Sequence, residues 1–147
     1  ILVGIPNADQ LDNVIEPLTE KDYIYYEKYN AAMPYRRFFV KLKKKPVNIF
    51  IPKVYFGKDE VPDALHEHTL AHIHILQYHS YHWLRHIAFR EYLKQHPTIK
   101  NEYQELKIHL STKDWKDGNA YNASKNDFIK HTEQKAFEWY EKHTSGL

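Results

Sequence analysis

Two spacings divide this chain. Most of the first half has apolar positions that alternate or run together over short stretches, as strands require. From about residue 80 onward they recur with the 3.6 period of helices. Ile1 to Ile5 form a continuous apolar run that predicts a buried strand, ended by Pro6. Residues 8 to 21 carry Leu11, Val14, Ile15 and Leu18 at i, i+3, i+4, i+7, which predicts a helix capped by Asn7, with Asp9 near its start. Pro17 disturbs that helix and is expected to shorten it. Residues 22 to 29, DYIYYEKY, have strand composition. In RRFFVKLK the residues alternate, with Phe38, Val40 and Leu42 on one face and Arg37, Phe39 and Lys41 on the other. VNIFIPKVYF also looks strand-like, but Pro46 and Pro52 confine it to a sheet edge or a loop. The next strand, about 69 to 78, puts His72 and His74 on one face and Ile73 and Ile75 on the other.

Three helices are predicted to close the chain. The first runs from the cap Ser80 to Gln95 with Leu84, Ile87, Ala88 and Tyr92 inward. The second begins at Pro97 and buries Ile99, Tyr103, Leu106 and Leu110. The third runs from about Asn119 to His143, with a stripe of Tyr121, Phe128, Thr132, Ala136 and Trp139 that Lys125 interrupts. Strands first and helices last argue for an α+β fold, a small mixed sheet flanked by helices, in a single domain over residues 1–147.

Composition narrows the function classes. A net charge of +2 with neutral histidines is too mild for a dedicated nucleic-acid binder. Lys43, Lys44 and Lys45 read as a solvated turn, with a phosphate patch as the alternative. The absence of cysteine excludes disulfides, thiolate metal sites and a cysteine nucleophile, and suits a reducing compartment. No signal peptide and no bilayer-spanning apolar run are visible, so a cytoplasmic location without a membrane partner is expected. Aromatics make up 15% of the chain and histidine accounts for 11 residues. Such side chains suit a core that grades into a wet cavity.

The candidate chemistry centres on residues 66 to 90. Two imidazoles at i, i+2 on a strand can hold one metal ion, with His68, His82, His86 or a carboxylate as third ligand. Alternatively, one fills a polar core position and the other is a surface residue. Arg36 and Arg37, where a turn enters a strand, and Arg85 and Arg90, on the helix after the His strand, would suit an anion if they converged on a cleft; Arg90 could instead form a surface bridge with Glu91 or Glu102. Lys125 either snorkels over aromatic rings or, with Tyr121, presents an ammonium and a hydroxyl to a phosphate. No nucleophile constellation, glycine-rich phosphate loop or two-metal carboxylate pair stands out.

ILVGIP at 1 to 6, RRFFVK at 36 to 41, HIHI at 72 to 75, WLRHIAFREYLKQHP at 83 to 97 and YNASKNDFI at 121 to 129 together resemble the GrpB family. That resemblance implies a nucleotidyltransferase-like fold. In that superfamily a Gly-Ser turn and strand carboxylates bind metal and nucleotide phosphates. Leu2 stands where a second carboxylate would fall, and the His72-x-His74 pair replaces the acidic position of the third strand. The glycine-serine motif and an aspartate expected directly before Ile1 lie outside this sequence, which is therefore read as lacking an N-terminal segment.

The resemblance carries over Arg36, Arg37, His72, His74, Arg90, Tyr121 and Lys125 as ligand-binding positions. The expected function is binding of a nucleotide or another phosphorylated small molecule, extending to metal-dependent phosphoryl or nucleotidyl transfer. The divalent ion would be Mg, Mn or Zn, with His72 and His74 as its candidate ligands. The alternatives are a non-catalytic ligand-binding or regulatory module and a His-based transition-metal site.

Overall fold

The computed structural model describes residues 1–114 and 118–144 of the chain. They form two compact units, Ile1–Trp83 and Leu84–Leu147.

The first unit is built on a five-stranded mixed sheet. Strands β1 (Leu2–Ile5), β2 (Tyr23–Tyr26), β3 (Arg36–Leu42), β4 (Val54–Tyr55) and β5 (Thr69–Gln77) lie in the order β1-β5-β3-β2-β4. The β1–β5 and β2–β4 pairs are parallel, while β5–β3 and β3–β2 are antiparallel. The two prolines act as expected: the VNIFIPKVYF region contributes only the two-residue edge strand β4.

Alternation along the strands gives the sheet two apolar faces. On one, Phe39, Ile73, Ile75 and Tyr25 pack under Leu11, Val14, Ile15 and Leu18. On the other, Ile24, Tyr26, Val40, Leu42 and Tyr55 pack with Leu65 of the short helix α2 (Ala64–His68); α1 is the segment Ile15–Thr19.

Two sequence expectations are corrected here. The run at Ile1 to Ile5 is an edge strand, and Ile1 and Val3 remain 71% and 38% exposed. A continuous apolar run does not distinguish a central strand from an edge strand. In this case the outward residues line an apolar groove of about 420 Å³, together with Val14, Pro17, Leu18 and Tyr23. The helix expected over residues 8 to 21 is a 3₁₀ segment at Ala8–Val14, and only Ile15–Thr19 is α-helical. Pro17 has no N–H to donate and is tolerated only in the first turn, so the α-helical hydrogen bonding begins beside it. Asn7 does cap the segment, its side chain accepting from Asp9 N at 3.2 Å.

The second unit is helical. Helix α3 (Tyr81–Gln95) has its first turn in the sheet unit, where Ser80 Oγ accepts from Trp83 N at 3.2 Å, and it continues into this one. Helix α4 (Pro97–Ser111) starts at the expected proline. The third predicted helix is present as α5 (Gly118–Ser124) and α6 (Asn126–Thr144), interrupted at Lys125. Tyr103 stacks on Phe128 at 5.4 Å and meets Phe89 edge-on at 5.6 Å, which ties α3, α4 and α6 together. Ala88, Leu110, Thr132 and Ala136 are buried between the helices.

Candidate functional site

The β5 alternation sends Ile73 and Ile75 into the core beneath the 3₁₀ segment and turns His72 and His74 to the opposite face. Register then decides what the histidines meet. Leu2 and Phe38 flank His74 on the two neighbouring strands, and Val40 lies opposite His72. One cross-strand row therefore runs from Leu2 through His74 and Phe38 to Tyr26 and Tyr55. Its ring centroids are 5.0 Å apart for His74–Phe38, 5.3 Å for Phe38–Tyr26 and 5.2 Å for Tyr26–Tyr55.

Phe38 is the hub of this face. His72 approaches its ring at 5.5 Å and Tyr29 at 5.7 Å, and the Arg36 guanidinium lies over it at 5.3 Å. Arg36 also reaches His74, with Nη1 at 3.2 Å from Nδ1. A guanidinium can only donate, so His74 Nδ1 accepts and the proton of the neutral ring sits on Nε2. A fixed positive charge beside His74 favours an anion there and opposes a cation. His72 keeps exposed surface, yet its pKa lies below the ordinary histidine value, chiefly through burial of its ring against the sheet and secondarily through the charge of His66.

At the end of this face Gly4 makes room for a close approach. A Cβ on Gly4 would lie 3.0 Å from the Trp83 and Tyr78 rings. His82, a candidate third metal ligand, stacks flat on Tyr35 at 3.4 Å. Among the described residues no three His, Asp or Glu side chains are grouped to hold one ion.

The other sequence-derived candidates have contacts of their own. Arg37 lies on the opposite face of β3, where Nε donates to Asp12 Oδ1 at 2.5 Å and Nη1 to the Pro34 carbonyl at 2.9 Å. The two adjacent arginines are therefore not brought together. Arg90 forms the surface bridge weighed against the anion reading, at 2.6 Å from Glu91. Lys94 first, and then Arg90, hold the Glu91 carboxyl below its usual range. In the helical unit Tyr121 and Lys125 do come together, but through the ring: Lys125 Nζ lies over the Tyr121 face at 4.3 Å. Burial, then the charge of Lys107, depresses the Lys125 pKa.

Sequence reasoning missed three groups. Phe38 passed as an ordinary core residue, because its contacts with both histidines depend on long-range register. Glu133 is a half-buried carboxyl raised by burial, against the opposing pull of Arg85 at 3.5 Å; nothing in the local pattern marks it. Tyr55 has a buried hydroxyl without a hydrogen-bond partner among the described residues. No helix among them is long and apolar enough to cross a membrane.

Known proteins with related sequences agree with this architecture. The family described as GrpB protein matches residues 1–135. The chain is 37% identical over 62 residues to the glutamate-rich protein GrpB of Alkalihalophilus pseudofirmus, covering 42% of this chain and 36% of that protein. It is 35% identical over 68 residues to the UPF0157 protein YqkA of Bacillus subtilis, covering 46% of this chain and 20% of that one. These matches thus span about a third and a fifth of the curated relatives' lengths. The crystal structure of the conserved protein GrpB from Enterococcus faecalis superposes with a TM-score of 0.66 at 25% identity, covering 95% of this chain and 68% of that one. The sequence match over nearly the whole chain and the shared fold lead to one assignment: this chain belongs to the GrpB family.

Proposed function

We propose that this GrpB-family chain binds a nucleotide or another phosphorylated small molecule on the sheet face that carries His72 and His74. The observation that carries the reading is the Arg36–His74 contact at 3.2 Å beside the Phe38 ring. It combines a fixed cation and a neutral imidazole for phosphate oxygens with an aromatic surface for a ring system. His72, whose pKa lies below the ordinary histidine value, is drawn toward its charged form by an anion beside it. Arg37 is engaged by Asp12 on the opposite sheet face and Arg90 by Glu91, so the proposal rests on Arg36.

Metal-dependent phosphoryl or nucleotidyl transfer on this face would make the chain a transferase, and it needs oxygen ligands for magnesium or manganese. Leu2, in register with His74, offers none. That specific observation favours a second reading, a ligand-binding or regulatory module that keeps the fold without the chemistry. A zinc site on His72 and His74 ranks below both, because the Arg36 charge opposes a cation at His74.

A thermal-shift panel tests these readings, with nucleoside triphosphates and sugar phosphates each offered with magnesium, manganese or zinc. A ligand that binds only the folded state raises the melting temperature. A shift with a phosphorylated ligand that Arg36→Ala abolishes supports the proposal. A shift with zinc alone contradicts it.

A further inference from the structure

The proposed function leaves the segment between β3 and β4 unused. Residues 43 to 53 hold four lysines (Lys43, Lys44, Lys45 and Lys53), with no carboxylate and no arginine, and Lys41 precedes them near the end of β3. The nearby Asp22 carboxylate is already shared. Lys45 binds it at 2.5 Å, and the charges of Lys41 and Lys53 act on it as well. Among the described residues Lys43, Lys44 and Lys53 have no ion pair.

The same segment projects apolar side chains into water: Val47 is 90% exposed and Phe50 88%. The loop is tied down where it returns to the sheet. Ile51, next to Phe50, packs against the core, and Tyr25 N donates to the Lys53 carbonyl at 2.9 Å. Pro46 and Pro52 remove backbone donors and keep the segment out of the sheet.

We infer that this loop docks on an anionic lipid surface, with Val47 and Phe50 entering the headgroup–acyl boundary and Lys43, Lys44 and Lys53 facing lipid phosphates. Charge complementarity calls for an anionic partner. The side-chain types then choose among anionic partners. Lysine is a flexible point charge suited to a diffuse layer of phosphates, whereas arginine dominates forked recognition of one phosphate or carboxylate. Lysine is also depleted at protein–protein interfaces. Apolar side chains without a surrounding pocket gain by entering a boundary that demands no shape match. Docking of this kind needs no membrane-spanning helix. The inference departs from the sequence-based expectation of a chain without a membrane partner, which treated the three consecutive lysines as a solvated turn.

The test is sedimentation of the full chain with phosphatidylcholine vesicles and with vesicles containing about one-third phosphatidylglycerol, at about 0.1 M salt. Binding to the anionic vesicles that weakens as salt rises is expected. Phe50→Ser should weaken it about tenfold, and Lys43→Ala with Lys44→Ala roughly twentyfold. These side chains are exposed, so the melting temperature should stay unchanged. Phe50→Trp should give a blue-shifted emission when anionic vesicles are added. Failure to sediment, unaltered binding by Phe50→Ser, or tighter binding to an oligonucleotide than to the vesicles would each overturn the inference.

Discussion

Tyr55 carries a buried hydroxyl with no hydrogen-bond partner among the described residues, while its ring completes the row that starts at His74. An unsatisfied buried polar atom costs about 1–3 kcal/mol. Tyr55→Phe should therefore stabilise the chain by about 1 kcal/mol in chemical denaturation; a loss of that size would mean the hydroxyl has a partner. His72 makes a second residue-scale prediction. Its folded pKa is depressed, so the unfolded chain takes up the proton first. The stability its neutral ring contributes is present above the unfolded value of about 6.5 and is lost as pH falls through the lower folded value. His72→Gln should flatten that part of the pH–stability curve, and the His72 ring should titrate below about 6.5 by NMR. A ring titrating above that value would remove the basis for a neutral imidazole at rest.

At the scale of elements, the sheet depends on Phe39 in β3 and on the gap left by Gly4 in β1. Phe39 is fully buried between Tyr25, Ile73 and Ile75. Phe39→Ala should cost about 3–5 kcal/mol, read as a lower denaturation midpoint at unchanged slope. Gly4→Ala would press a methyl against Trp83 and Tyr78, and should cost about 1–3 kcal/mol because both are large rings packed edge-on against each other. Unaltered stability would mean those rings move freely. The same elements explain what could be read in advance. The faces of β3 and β5 were legible because strand alternation is strict, and the helical stripes because Pro97 and Ser80 set their starts. The sheet order was not legible. Whether ILVGI lies at the centre or the edge depends on pairing with β5, some seventy residues away. The split between Arg36 and Arg37 follows from alternation once β3 is known to begin at Arg36, although the anion reading groups them. Phe38 became part of the candidate site only through the antiparallel register that sets it beside His74.

Over the whole molecule, family membership and fold agree, and one sheet face brings Leu2, His74, Phe38 and Arg36 together. Leu2, in register with His74, offers no carboxylate, and Arg36 places a positive charge beside the imidazole. The central claim is that this face receives a phosphorylated ligand. It is tested most directly by following the histidine ring resonances of the protein during titration with a magnesium–nucleoside triphosphate, in wild type and Arg36→Ala. The account predicts saturable shifts at His72 and His74, an upward move of the His72 titration midpoint, and affinity about tenfold or more lower in the variant, as expected for loss of a charge-assisted bond. Saturable binding that leaves both histidines unmoved, or that is equally tight without Arg36, would contradict it.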